Sequence, residues 1–185
     1  MVDRNHRAVI DKLLSGFGAI ATVALLAIGG LAWWGYSFAS GNVHDQLAAQ
    51  KIFFPAADSP GLTSLPAADR AAVGKYAGQQ VLTGAQAKVF ADNYIAVHLK
   101  KIAGGQTYSE VSAKAQADPG NATLQAQANT LFKGETLRGL LLGDAYAFDT
   151  VAQLARYAAL VAFAAAAVMA VLTALGFLHL SMLKW

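Results

Sequence analysis

The chain contains no cysteine, so any metal chemistry in it would rest on histidine and carboxylate. Thiolate ligands, iron–sulfur clusters, covalently attached c-type haem and disulfides are excluded together. There are four histidines, His6, His44, His98 and His179. The nearest thing to a ligand set is His98 with Asp92 and Glu110, one nitrogen and two oxygens. Asp92 and His98 are six residues apart on one expected helix, and at roughly 100° per residue they point to opposite faces. The spacing therefore favours a capping or partner-contact role for His98 over a metal site. His179 would need a second axial ligand from another chain to hold a haem. As an interfacial histidine near a helix C-terminus it is favoured by the helix dipole. No HExxH, GxSxG, Walker A or GxGxxG pattern occurs. The expectation is a non-enzymatic chain with no cofactor and no catalytic metal.

The elements that must position these residues follow from composition. Of 185 residues 56% are hydrophobic and 14% charged, too apolar a balance for an ordinary soluble domain. The apolar residues gather into two blocks, each longer than the roughly 20 residues a helix needs to cross a bilayer. The reading is an all-α membrane protein with transmembrane helices at 16–38 and 157–180, flanking a mainly helical extracytoplasmic domain at 39–156. Residues 1–15 form a tail and 181–185 a short end, both cytoplasmic. The first block is too long for the h-region of a cleaved signal peptide. Arg4, Arg7 and Lys12 precede it, which by the positive-inside rule keeps the N-terminus in the cytoplasm of a bacterial plasma membrane. Trp33, Trp34 and Tyr36 suit an aromatic belt at the far interface, with Tyr157 at the matching level. Lys184 and Trp185 suit an anchor at the near one.

Between the spans, Ser40 to Arg156 carry ten Lys/Arg and nine Asp/Glu, a near balance that argues against a nucleic-acid partner. Helix punctuation is legible here. The first helix is expected to continue to Lys51 and to break at Ile52, Phe53, Phe54 and Pro55, entering a loop with Asp58, Ser59, Pro60 and Gly61. Pro66 suits a helix start and Gly78 a stop. Thr83 with Gln86, and Thr107 with Glu110, are capping boxes. Gly104 and Gly105 end the helix between them. Asn121 caps a further helix through Phe132. From Glu135 the pattern Leu137, Leu140, Leu141, Tyr146, Phe148 and Leu154 runs into the second span. No strong strand pair is expected.

In the second span Ala158, Ala162, Ala166, Ala170 and Ala174 recur at i+4. Small residues at this spacing let another helix backbone come close, the main source of attraction between helices in lipid. The stripe is either a docking surface for subunits of a larger complex or the face on which the two spans pack together. Gly18, Thr22 and Gly29 offer a weaker stripe on the first span.

Gln46, Leu47, Lys51 and Ile52, then Ala91, Asp92, Ile95 and His98, then Gly104, Gly105, Thr107, Tyr108 and Glu110 form a series that resembles small actinobacterial two-span membrane proteins. The resemblance covers roughly the outer half of the chain. The segments Asp58–Gly78 and Gln116–Phe132 depart from the family's shorter pattern. Such proteins often carry the label of an aromatic ring-opening dioxygenase subunit, yet this chain shows none of the soluble metal- or substrate-binding scaffold that chemistry requires. The resemblance extends to the respiratory supercomplex association factor found beside cytochrome bcc and aa3 oxidase complexes. It implies a non-catalytic accessory subunit, with other membrane subunits and lipids as partners and His98 and Tyr108 presented outside the membrane. The alternative is an extracytoplasmic ligand-binding or sensory module.

Overall fold

The computed structural model describes residues 4–182, all-helical apart from turns and a single antiparallel bridge between Phe53 and Gln80. Lys184 and Trp185, expected as an interfacial anchor, lie outside the described residues. The chain divides into two compact units, a helical pair taking the residues up to Phe38 and those from Ala152, and a central unit, Ala39–Val151.

The pair is formed by α1 (Arg4–Gln50) and α8 (Phe148–Met182). Both are long and apolar enough to cross a membrane. They run antiparallel. Gly176 lies against Ser15, Gly18 against Thr173 and Gly29 against Phe163, and the Arg156 guanidinium sits 5.6 Å from the Tyr36 ring. The helices approach closely at Gly18, Gly29 and Gly176, where an added β-carbon would press on the Thr173 hydroxyl, the Phe163 ring and the Ser15 hydroxyl. Elsewhere the pair's surface is apolar and open, with Phe17, Ile20, Val23, Leu31 and Trp34 exposed on α1 and Val161, Val168 and Leu175 on α8.

In the central unit, α1 ends at Gln50 and Lys51 takes the left-handed conformation, φ 53°, usually left to glycine. The expected loop follows, but it contains one unanticipated turn of helix, α2 (Pro60–Thr63), begun by Pro60. Next comes α3 (Ala67–Gly74), with Pro66 at its N-cap. Gly78, φ +72°, turns the chain after α3 has ended, four residues earlier than the expected stop. Gly78 donates to the Pro55 carbonyl, Phe54 to Gln79 and Val81 to Ile52, so the two loop segments satisfy one another.

The capping box of Thr83 and Gln86 opens α4 (Gly84–Val89). A π segment (Phe90–Ile95) and α5 (Ala96–Ile102) follow without a break. Gly104 and Gly105, both at positive φ, end that helix. Thr107 and Glu110 cap α6 (Tyr108–Ala117), and Asn121 accepts from the Leu124 amide to cap α7 (Ala122–Leu140). One expectation fails here. The helix from Asn121 does not stop at Phe132 but passes through Gly134 and a second π segment (Leu141–Ala147) into α8. Gly134 is a packing residue, since a β-carbon there would overlap Leu99. The core joins Val43 and Leu47 of α1 to Phe54, Val73, Val81, Phe90, Val111, Leu131 and Leu141.

Candidate partner-contact sites

The alanine positions separate in the structure. Ala162 and Ala166 are buried, whereas Ala158, Ala170 and Ala174 are exposed. Four residues advance a helix by roughly 400°, so an i+4 row drifts about 40° per step and crosses a face rather than following it. The inward residues instead alternate three and four apart: Ala152, Ala155, Ala159, Ala162, Ala166, Met169, Thr173 and Gly176. On α1 the matching row is Ser15, Gly18, Thr22, Leu25, Gly29, Ala32 and Tyr36. This spacing is the seam of a left-handed helix pair. Part of the expected stripe is therefore the surface on which the two long helices meet, and its two ends emerge on opposite flanks.

His98 closes a ladder of rings. Tyr76 stacks on Phe54 at 5.2 Å, Phe54 meets Phe90 edge-on at 5.3 Å, Phe90 meets Tyr94 at 4.9 Å, and Tyr94 meets His98 at 4.4 Å. His98 Nδ1 lies 2.8 Å from the Tyr94 carbonyl oxygen. A carbonyl only accepts, so Nδ1 is the donor of this bond. Tyr108 is held by different neighbours. Its ring packs at 5.6 Å on Phe132 of α7, and both rings are about half exposed, 40% and 54%. Ser112, Gln116, Gln125 and Asn129 border the shallow groove beside them.

Asp92, His98 and Glu110 do not converge. Asp92 accepts from Lys88 at 2.6 Å and from Arg138 at 3.2 Å, and Arg138 also reaches Glu135 at 3.3 Å. Burial alone would raise the Asp92 pKa, but the hydrogen bonds and charges of Lys88 and Arg138 outweigh it and hold the carboxyl below its ordinary range. Glu110 accepts from the Thr107 amide at 2.7 Å and its hydroxyl at 2.9 Å. That backbone bond is the main reason its pKa is lowered. Sequence reasoning missed the partnership of Lys88, Asp92 and Arg138. Only the i,i+4 spacing of Lys88 and Asp92 could have signalled it.

No known protein family matches the chain, and no curated protein or solved structure is similar to it. The class that the geometry defines is an all-helical protein with two long apolar helices fit to cross a membrane.

Proposed function

We propose that the chain is a non-catalytic accessory subunit of a larger bacterial membrane complex. It crosses the plasma membrane twice, with both termini cytoplasmic and the central unit outside. The sequence resemblance makes a respiratory cytochrome bcc–aa3 supercomplex the first candidate for that complex. The observation that carries a docking role is the contact of Tyr108 with Phe132: two adjoining aromatic residues, each about half exposed, bordered by neutral polar side chains. Aromatic anchors inside a polar rim are the composition of interface hot spots. His98, its ring held by the Nδ1 bond to the Tyr94 carbonyl, supplies a second contact on the same unit.

The test is co-purification of the tagged chain from native membranes at native abundance, with partners identified by mass. Tyr108→Ala and Phe132→Ala should each weaken partner binding about 30-fold or more while the chain stays folded, since truncating a hot spot costs about 2 kcal/mol or more. Full recovery with both variants would remove the docking role. Orientation is tested separately. Cysteine placed at Asn121 should react with an impermeant thiol reagent in intact cells and cysteine placed at His6 should not.

A further inference from the structure

Three side chains make a short ladder at one end of the helix pair. The Trp33 ring meets Tyr36 edge-on at 5.5 Å, and the Arg156 guanidinium sits over the Tyr36 ring, 5.6 Å from its centroid. Trp33 and Tyr36 stand on α1 and Arg156 on α8, so the ladder joins the two helices. A cation–π contact steadies the guanidinium but supplies no oxygen acceptor for its N–H donors. Arg156 is exposed, and it forms no ion pair among the described residues.

Charge and level together select the acceptor. Residues 13–44 contain no Lys, Arg, Asp or Glu, and residues 150–183 contain Arg156 alone. The nearest carboxylates along the two helices are Asp149, seven residues from Arg156, and Asp45, nine from Tyr36. At 1.5 Å per residue they stand roughly 10 to 14 Å away, and Asp149 accepts from the Ser40 hydroxyl while Asp45 faces His44. A guanidinium so placed must take its anion from the surroundings. Tyr36 lies two residues inside the expected end of the first span at Phe38, and Arg156 one residue outside the expected start of the second at Tyr157. Both are therefore within about 3 Å of the hydrocarbon boundary. Trp34 and Tyr157, exposed at the same level, suit that boundary. The anion that a bilayer presents in the polar layer just above it, about 5 to 7 Å deep, is the lipid phosphodiester.

We infer that Arg156 and Tyr36 form a binding site for the phosphodiester of an outer-leaflet phospholipid. The guanidinium donates to the phosphate oxygens, and the Tyr36 ring, backed by Trp33, holds the guanidinium in place from the opposite helix. This rests on the membrane placement proposed above, but not on the identity of any partner complex.

The test uses the full chain in detergent micelles, with bound lipid measured by native mass spectrometry. Phosphatidylglycerol is titrated beside a galactosyl diacylglycerol of identical acyl chains, which has no phosphate. The basic residues before the first span bind anionic lipid as well, so the quantity read is the change on substitution. Arg156→Gln should weaken phosphatidylglycerol binding about fivefold, the effect of one basic residue at a lipid surface, and leave galactolipid binding unchanged. Arg156→Lys should keep most of the binding, since an ammonium still meets phosphate as a point charge. Tyr36→Leu leaves every charge in place and should weaken phosphatidylglycerol binding about twofold. It reads the same site if Arg156→Gln does not fold. Excess inorganic phosphate should not displace the Arg156-dependent lipid. Phosphatidylglycerol binding unchanged in folded Arg156→Gln or in Tyr36→Leu, an equal loss of galactolipid, or displacement by inorganic phosphate would overturn the proposal. Recovery of the chain in the soluble fraction after a carbonate wash of vesicles would instead overturn the membrane placement.

Discussion

Arg138 reaches from α7 to Asp92 in the first π segment, its Nη2 3.2 Å from the carboxylate, across 46 residues of sequence. The pair ties the two π-containing helices of the central unit together, and Lys88 completes it from the Asp92 side. Replacing Arg138 by methionine keeps the stem and removes both ion pairs. The expected loss is about 1 kcal/mol, the upper end for a partly exposed pair. A chemical denaturation series on the purified chain measures it.

The same cluster sets a pH window. The Asp92 pKa is depressed, so its ionised form stabilises the fold fully above the ordinary aspartate value near 3.9 and loses that contribution as pH falls through the depressed one. The Lys88 pKa is raised, chiefly by its hydrogen bond to Asp92. Its contribution is complete below about 10.4 and fades as pH rises through the raised value. The contribution of this cluster to stability should therefore form a plateau across neutral pH in the wild type. Asp92→Asn should lower that plateau and flatten the fall in acid. An unchanged acid limb in Asp92→Asn would remove Asp92 as the titrating group.

The helix pair can be trapped covalently. A β-carbon at Gly176 would stand 3.4 Å from the Ser15 β-carbon, just under the usual disulfide span. In a chain otherwise free of cysteine, Ser15→Cys with Gly176→Cys should oxidise to an intramolecular disulfide, seen as a mobility shift reversed by reductant. Ala166→Leu should cut the yield, because overpacking this seam costs about 1–3 kcal/mol. Ala170→Leu, exposed, should leave it unchanged. Equal yields in the two variants would show that the seam does not run through Ala166.

The capping boxes should behave as local structure. Thr107→Ala and Thr83→Ala should each cost about 1 kcal/mol. Hydrogen exchange should speed up at the amides of Glu110 and Gln86, which donate to the two threonine hydroxyls. Partner recovery should be retained in Thr107→Ala if the Tyr108–Phe132 contact, and not the cap, makes the interface.

Lys51 gives an opposite sign. A residue with a β-carbon costs about 1–2 kcal/mol in the left-handed region, and φ at Lys51 is 53°. Lys51→Gly should raise stability by up to about 1 kcal/mol once the extra freedom of glycine in the unfolded chain is subtracted. Thermal unfolding checks it.

Features with a local physical cause were legible in the sequence. Thr83, Thr107 and Asn121 cap where their side chains say, and Gly104 and Gly105 take positive φ where a helix must stop. The apolar blocks sit on the two long helices. What was not legible depends on neighbours distant in sequence. The helix from Asn121 was expected to end at Phe132, but it continues through Gly134, which packs against Leu99. An i+4 row of alanines looked like one face, until the facing helix selected a three–four seam. Asp92 gave no sign of Arg138. Of the ring contact between Tyr108 and Phe132, the sequence singled out Tyr108 through the resemblance alone, and Phe132 only as a helix end.

The first π segment also bears on how the chain tolerates changes of length. Its hydrogen bonds close from i to i+5 rather than i to i+4, so one residue more is taken up in the turn. Ala87 before it and Leu99 after it still face the same core. A deletion of one residue between Phe90 and Ile95 can be absorbed by tightening that turn, with the flanking faces kept in phase. The same deletion in α7 ahead of Leu131 meets no wide turn before Leu141, where the second π segment begins, and would swing Leu131 and Leu141 by roughly 100° out of the core. The wide turn is thus a point at which this helix can lose a residue without changing which side of it meets the protein.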